Sequence, residues 1–206
     1  WRYIYYRNHF WDNTDLTDPR LVRDGSLHTL IDRYWSKVLP PDPDSLFVEA
    51  VKLFSVLAEQ GEPASEYNLS LLHYKGLGTP ENYQSALYWA WSAFLDGYEK
   101  APSLVDEIRE DVTDELITEV AQSIIENLTE KAMSGDDNAS IKLGKTYYSL
   151  LIEPDIKNAY IWFVIAQALS VVGSDELLRE VKKDIETTDL LLFQTDAVAM
   201  FNEISK

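Results

Sequence analysis

Apolar side chains along this chain recur at intervals of three and four, and glycine, proline and acidic breaks separate the runs. The pattern predicts about ten helices, near 27–38, 45–60, 64–75, 81–96, 101–110, 113–134, 138–150, 155–171, 174–186 and 189–204. Thr79-Pro80-Glu81 and Glu153-Pro154-Asp155 read as helix starts, because proline suits a first turn that lacks acceptors for its amides. Thr113-Asp114-Glu115 and Ser174-Asp175-Glu176 read the same way, with acids facing the positive end of the helix dipole. Gly61, Gly97 and Gly135 each follow a periodic run, as helix-ending glycines do. Strand-like alternation is confined to Ile4-Tyr5-Tyr6 and Leu190–Phe193, so the expected class is all-α. Longer linkers are expected only at Asn13–Ser26 and at the proline-rich Leu39–Asp44.

Two stretches of this helical pattern are copies of each other. Residues 64–97 return in weaker form at 138–170, with Leu69 over Leu143, Ser70 over Gly144 and Pro80 over Pro154, an offset of 74. One residue is missing after the second proline, so Ala86, Trp89 and Ala93 fall on Ala159, Trp162 and Ala166. The preceding stretches match as well, Ala58 and Gly61 lying over Ala132 and Gly135. A charged helix follows each pair, at Ser103–Asp111 and at Leu177–Asp184. The duplicated unit therefore covers four helices, with the 113–134 helix ending one module and opening the next. Such units stack, because neither can bury its apolar face alone, and the polar 189–206 helix is the expected end cap. Three segments follow: an aromatic-rich 1–44 with one helix, a first module over 45–127, and a second, degenerate module over 128–206.

The first copy resembles the Sel-1-like repeat, a relative of the tetratricopeptide repeat. The resemblance rests on Ala64, Leu69-Ser70, His73, Gly76-Leu77-Gly78, Glu81, Ala86, Trp89, Ala93 and Gly97. His73 stands where the family pattern has tyrosine, and Ser70 where it has glycine. The second copy keeps Leu143-Gly144, Tyr147, Ala159, Trp162 and Ala166 but has Leu151–Pro154 in place of the glycine turn. The resemblance implies a right-handed α-solenoid of stacked antiparallel helix pairs, with the first helix of each pair lining a concave face. The residue types fit that packing. Alanines at 64, 86, 93, 159 and 166 permit close helix approach, Trp89 and Trp162 fill the facing volume, and Gly76 and Gly78 supply the turn.

Composition narrows the function. The chain has 206 residues with 35 acidic against 18 basic side chains, a formal charge of −17. Such a chain repels nucleic acid and anionic membrane surfaces and steers basic partners toward itself. With 46% apolar residues it is a folding chain rather than a disordered one. The absence of cysteine excludes disulfides, zinc thiolates and cysteine nucleophiles. The first residue is Trp1 and not Met, which leads us to expect a trimmed chain whose signal peptide or anchor has been removed. A periplasmic or envelope location in a bacterium is what the resemblance implies.

Catalytic and metal chemistry have little to stand on. His9, His28 and His73 are widely spaced and form no ligand pair, and His73 occupies a packing position. Asp12, Asp15 and Asp18 lack the alternating spacing, glycine and final glutamate of a calcium loop. Gly76-Leu77-Gly78 has neither the strand nor the lysine of a phosphate loop. No catalytic, cofactor or metal residue is therefore expected, and no cofactor. Six of the first eleven residues are aromatic (Trp1, Tyr3, Tyr5, Tyr6, Phe10 and Trp11), forming either a contact surface or a packed leading helix. Tyr67, Leu71, Tyr74, Lys75 and Tyr148 lie on the first helices of the two pairs and are the expected partner-binding residues.

The expected function is a non-catalytic scaffold or adaptor that binds a partner protein through its concave face and acidic surface. A narrower alternative, implied by the resemblance, is an immunity protein that neutralises a secreted phospholipase-type toxic effector. A hydrolase or β-lactam-binding enzyme and a self-assembling structural element are the remaining alternatives.

Overall fold

The computed structural model describes residues 43–204. The helix expected at 27–38, the Trp1–Trp11 run, His9, His28 and the aspartates at 12, 15 and 18 lie outside those residues. Nine α-helices and no strand occur among the described residues. They are α1 (Pro43–Glu59), α2 (Pro63–Lys75), α3 (Tyr83–Leu95), α4 (Ala101–Glu110), α5 (Asp114–Met133), α6 (Asp137–Lys145), α7 (Ile156–Ala168), α8 (Ser174–Val181) and α9 (Thr187–Ile204). A π turn over Thr146–Leu150 continues α6, and a 3₁₀ turn over Lys182–Asp184 ends α8.

The packing order repeats, as a solenoid requires. Helix α3 lies against α2, α4 and α5, and α7 lies against α6, α8 and α9. Helix α5 also packs on α6 and so joins one unit to the next. Small residues set the spacing within each pair: Ala86, Ala90, Ala93, Ala159 and Ala166 are fully buried. On the facing helices the buried small pair is Ser65 and Ala139, whereas Ala64 is only half-buried. Trp162 is buried as expected, but in the first unit the enclosed indole is Trp91, and Trp89 is half-exposed.

Corresponding bonds hold both units. The Tyr74 hydroxyl donates to Asp111 Oδ2 at 2.6 Å, and the Tyr148 hydroxyl donates to Asp184 Oδ2 at 2.8 Å. Each ties the first helix of a pair to the end of the third. Where the chain enters the second helix, Asn82 N–H donates to His73 O at 3.0 Å and Asp155 N–H to Tyr147 O at 2.9 Å. Asn82 and Asp155 are also the caps, accepting from Ser85 N–H at 2.9 Å and Asn158 N–H at 3.0 Å. Those helices therefore start two or three residues later than the Thr79-Pro80 and Glu153-Pro154 signals suggest, because a capping side chain outweighs a nearby proline. Thr113 caps α5 as expected, while Ser174 is the first residue of α8 behind Gly173 and makes no cap bond.

Glycine is required at two kinds of position. A β-carbon on Gly78 would fall 2.3 Å from the Phe47 carbonyl carbon, so this turn can receive the backbone of α1 only as glycine. After α3, Gly97 adopts φ +80°, and Tyr98 N–H closes the end on Ala93 O at 2.9 Å. After α7 the same closure is made by Val171 N–H to Ala166 O at 2.9 Å, but the left-handed residue is Ser170, φ +61°. The end cap differs from its expected polar character: α9 exposes Leu191, Leu192 and Val198.

A serine in this left-handed position costs roughly 1–2 kcal/mol. Ser170→Gly is expected to raise unfolding stability by about 1 kcal/mol, less than the full strain because glycine also loosens the unfolded chain. Gly97→Ser should lower it by a similar amount. Urea denaturation midpoints of the two variants check both signs.

Candidate partner-binding site

The start of α2 lays an acid into the interior. Glu62 caps the helix by accepting from Ser65 N–H at 2.5 Å, and Pro63 occupies the first turn. That register turns Glu66 inward, where only 4% of it is exposed. Next to it stands Asp96, which ends α3 and is paired with Lys142 of α6. Lys145, one turn further along α6, donates to Leu95 O at 3.4 Å. Tyr88 and Trp89 of α3, with ring centroids 5.2 Å apart and planes at 89°, form one wall. Ile124, Asn127, Leu128 and Lys131 of α5 form the opposite wall, and Ala58, Glu59 and Gly61 close the end. The cleft, part-open to solvent, has a volume of about 300 Å³, at the small end of the range for ligand sites.

Electrostatics make Glu66 the unusual member. Burial, and then the neighbouring Asp96 charge, raise its pKa from 4.5 to about 8, against the opposing pull of Lys142. The positive end of α2 favours the anion by only about 0.3–1 kcal/mol, too little to offset that burial. Glu66 is therefore protonated at neutral pH, and its Oε2 makes no hydrogen bond. Burial also lowers the pKa of Lys145 and raises that of Tyr88. His73 is half-buried with an unbonded Nδ1, and desolvation lowers its pKa, so it is a neutral packing residue at the repeat's aromatic position.

The equivalent positions of the second unit carry no such cluster. Glu66, Tyr88, Ser92 and Asp96 are replaced by Ser140, Ile161, Ile165 and Leu169. Ser140 satisfies itself by donating to Asp137 O at 2.5 Å, and the two isoleucines are buried. The same frame thus accepts an apolar filling.

The family model of the Sel1 repeat matches residues 63–93 and 138–166, the two pairs α2–α3 and α6–α7. Two Sel1 repeats are therefore present in the chain. No curated protein matches it. Sel1 repeats are generally non-catalytic protein–protein interaction modules. Among the described residues no cluster of histidine and carboxylate side chains could hold a metal ion, and no helix is long and apolar enough to cross a membrane.

The residues expected to bind a partner lie elsewhere on the Sel1 repeats. Tyr67 packs on Tyr98 with ring centroids 5.0 Å apart, and Leu71 is half-buried beside the core. Tyr74 is buried, and Lys75 lies 4.2 Å over its ring while pairing with Glu107 at 2.8 Å. Tyr148 carries the matching tie in the second repeat. None of the five lines the cleft. Glu66 and Asp96, which the structure brings into the cleft, are not among the residues that the sequence singles out. The available signal was an acid between the small residue Ser65 and the core residue Leu69, on the inward side of a repeat helix.

Glu66 links stability to pH with a definite sign. Below about pH 4.5 folded and unfolded chains both hold its proton; between about 4.5 and 8 only the folded chain does. Its contribution is therefore greatest in acid and falls as pH rises to about 8. Glu66→Gln, which keeps the shape and removes the titration, should stabilise the protein at pH 8 by roughly 1–3 kcal/mol, allowing for water in the cleft. Melting temperatures of both proteins from pH 5 to about 8.5 check this, the difference widening with pH.

Proposed function

We propose that this chain is a non-catalytic scaffold that holds a partner protein against its stacked Sel1 repeats, with the cleft between α3 and α5 as a principal contact. The observation that carries this reading is the pairing of two Sel1 repeats, joined through α5, with a polar cleft whose acidic cluster is not repeated at the equivalent positions of the second repeat. The formal charge of −17 supports a partner whose facing surface is basic. Neutralising a secreted toxic effector in a bacterial envelope, by covering its surface, is the narrower form of the same activity. An acidic repeat protein suits that role because surface complementarity alone can block a partner's site.

Affinity capture from the native host with the full chain, followed by reconstitution with the purified partner, tests the reading. A one-to-one complex should form at low salt and weaken at least tenfold near 0.5 M salt, where charge attraction between exposed groups is screened. A chain that reproducibly captures nothing, or that turns over a substrate unaided, would contradict it.

A further inference from the structure

We infer that the cleft between α3 and α5 receives a single arginine side chain from the partner, its guanidinium seated on Glu66 and Asp96 beside the rings of Tyr88 and Trp89. This deepens the scaffold reading and rests on it for the origin of the arginine.

Four observations point to that occupant. Glu66 is buried to 4% exposure and its Oε2 makes no hydrogen bond, so a polar atom inside the cleft is left without a partner. A second carboxylate, Asp96, converges from α3, and two aromatic rings line the same wall. Guanidinium suits this set, since it donates in a planar fork to carboxyl groups and can stack on one of two perpendicular rings while its edge meets the other. Finally, Ser140, Ile161, Ile165 and Leu169 fill the corresponding positions of the second repeat, so nothing in the repeat frame demands the acidic pair. A buried acid with an orphan oxygen is destabilising where apolar side chains would fit, and a bound cation removes that penalty.

The charges facing Glu66 decide the sign of the pH dependence. They are Glu59 from the end of α1, Asp96 from α3, Lys131 from α5 and Lys142 from α6, with the titratable Tyr88 beside them and Lys145 acting on Asp96 and Lys142. Lys142 is already committed to Asp96, Lys145 donates to the Leu95 carbonyl, and Lys131 is exposed at the rim. An incoming guanidinium therefore meets two carboxyl groups in the interior, one of them protonated. Its arrival favours the Glu66 anion, so the carboxyl O–H bond breaks, the proton leaves to solvent, and its electron pair stays on the carboxylate. Binding consequently tightens as pH rises toward about 8.

The test titrates the full chain with N-acetyl-arginine methylamide by calorimetry, in two buffers of different ionisation enthalpy. The neutral citrulline analogue and N-acetyl-glutamate methylamide serve as controls. Expected are binding of the arginine probe alone, release of close to one proton per arginine at about pH 7, and affinity roughly twentyfold higher at pH 8.5 than at 6.5. Glu66→Gln should abolish the proton release and flatten the pH dependence. Equal binding of arginine and citrulline probes, arginine binding without proton release in the unaltered chain, or preference for the glutamate probe would each overturn the inference. A partner captured by a chain that ignores the arginine probe refutes this inference and leaves the scaffold. Arginine binding with proton release, in a chain that captures no protein, refutes the scaffold and leaves the site.

Discussion

Within each repeat two helices approach so closely that a contact position cannot carry a large side chain on both of them. The two units solve that constraint in opposite ways. In the first, Ser70 is fully buried and its hydroxyl donates to Ala86 O at 2.7 Å, across from a helix lined by Ala86, Ala90 and Ala93. In the second, the positions of Ser70 and Ala90 are taken by Gly144 and Phe163, and a β-carbon on Gly144 would lie 2.4 Å from the Phe163 ring. Volume removed from one helix is returned by the other, which keeps interior density at the level folded proteins require. The close approach also fixes the capped turn that joins the two helices of each pair.

That constraint also explains how the repeats diverged in chemistry while sharing a frame. Backbone positions are held by packing at the pair interface, so side chains facing the interval between α3 and α5 can change character without moving the helices. In the first repeat they became carboxyl groups and half-exposed aromatics, and in the second isoleucine and leucine. Burial dominates the energetics of Glu66, and neither the helix dipole nor Lys142 restores its ordinary acidity. A site of this kind is poised, since a modest change in its charge environment moves a proton.

Much of the fold was legible in the residues. Small side chains at a shared offset, glycines after periodic runs and acids at helix starts gave the helix order and the duplication. What the pattern misjudged follows from competition between local signals. Proline marks a turn near a helix start, but Asn82 and Asp155 supply the side-chain acceptor and so set the boundary. The second turn lost its glycines, yet its backbone bond from Asp155 to Tyr147 survives, because the chain widens into a π turn instead of reversing in a left-handed one. Aromatic residues on the first helices suggest a binding face, and the structure adds that Tyr74 and Tyr148 also tie to Asp111 and Asp184. The cleft itself was invisible to periodicity, since its members come from five helices or their ends and converge only in three dimensions.

Titration of the Glu66 side-chain carboxyl carbon by NMR, in the full chain without any ligand, most directly tests the idea that the repeats enclose an uncompensated acid. A midpoint near pH 8 is the expected result. A midpoint near the ordinary value of 4.5 would mean that the acid is solvated or already paired, and the cleft would lose the property on which its proposed role depends.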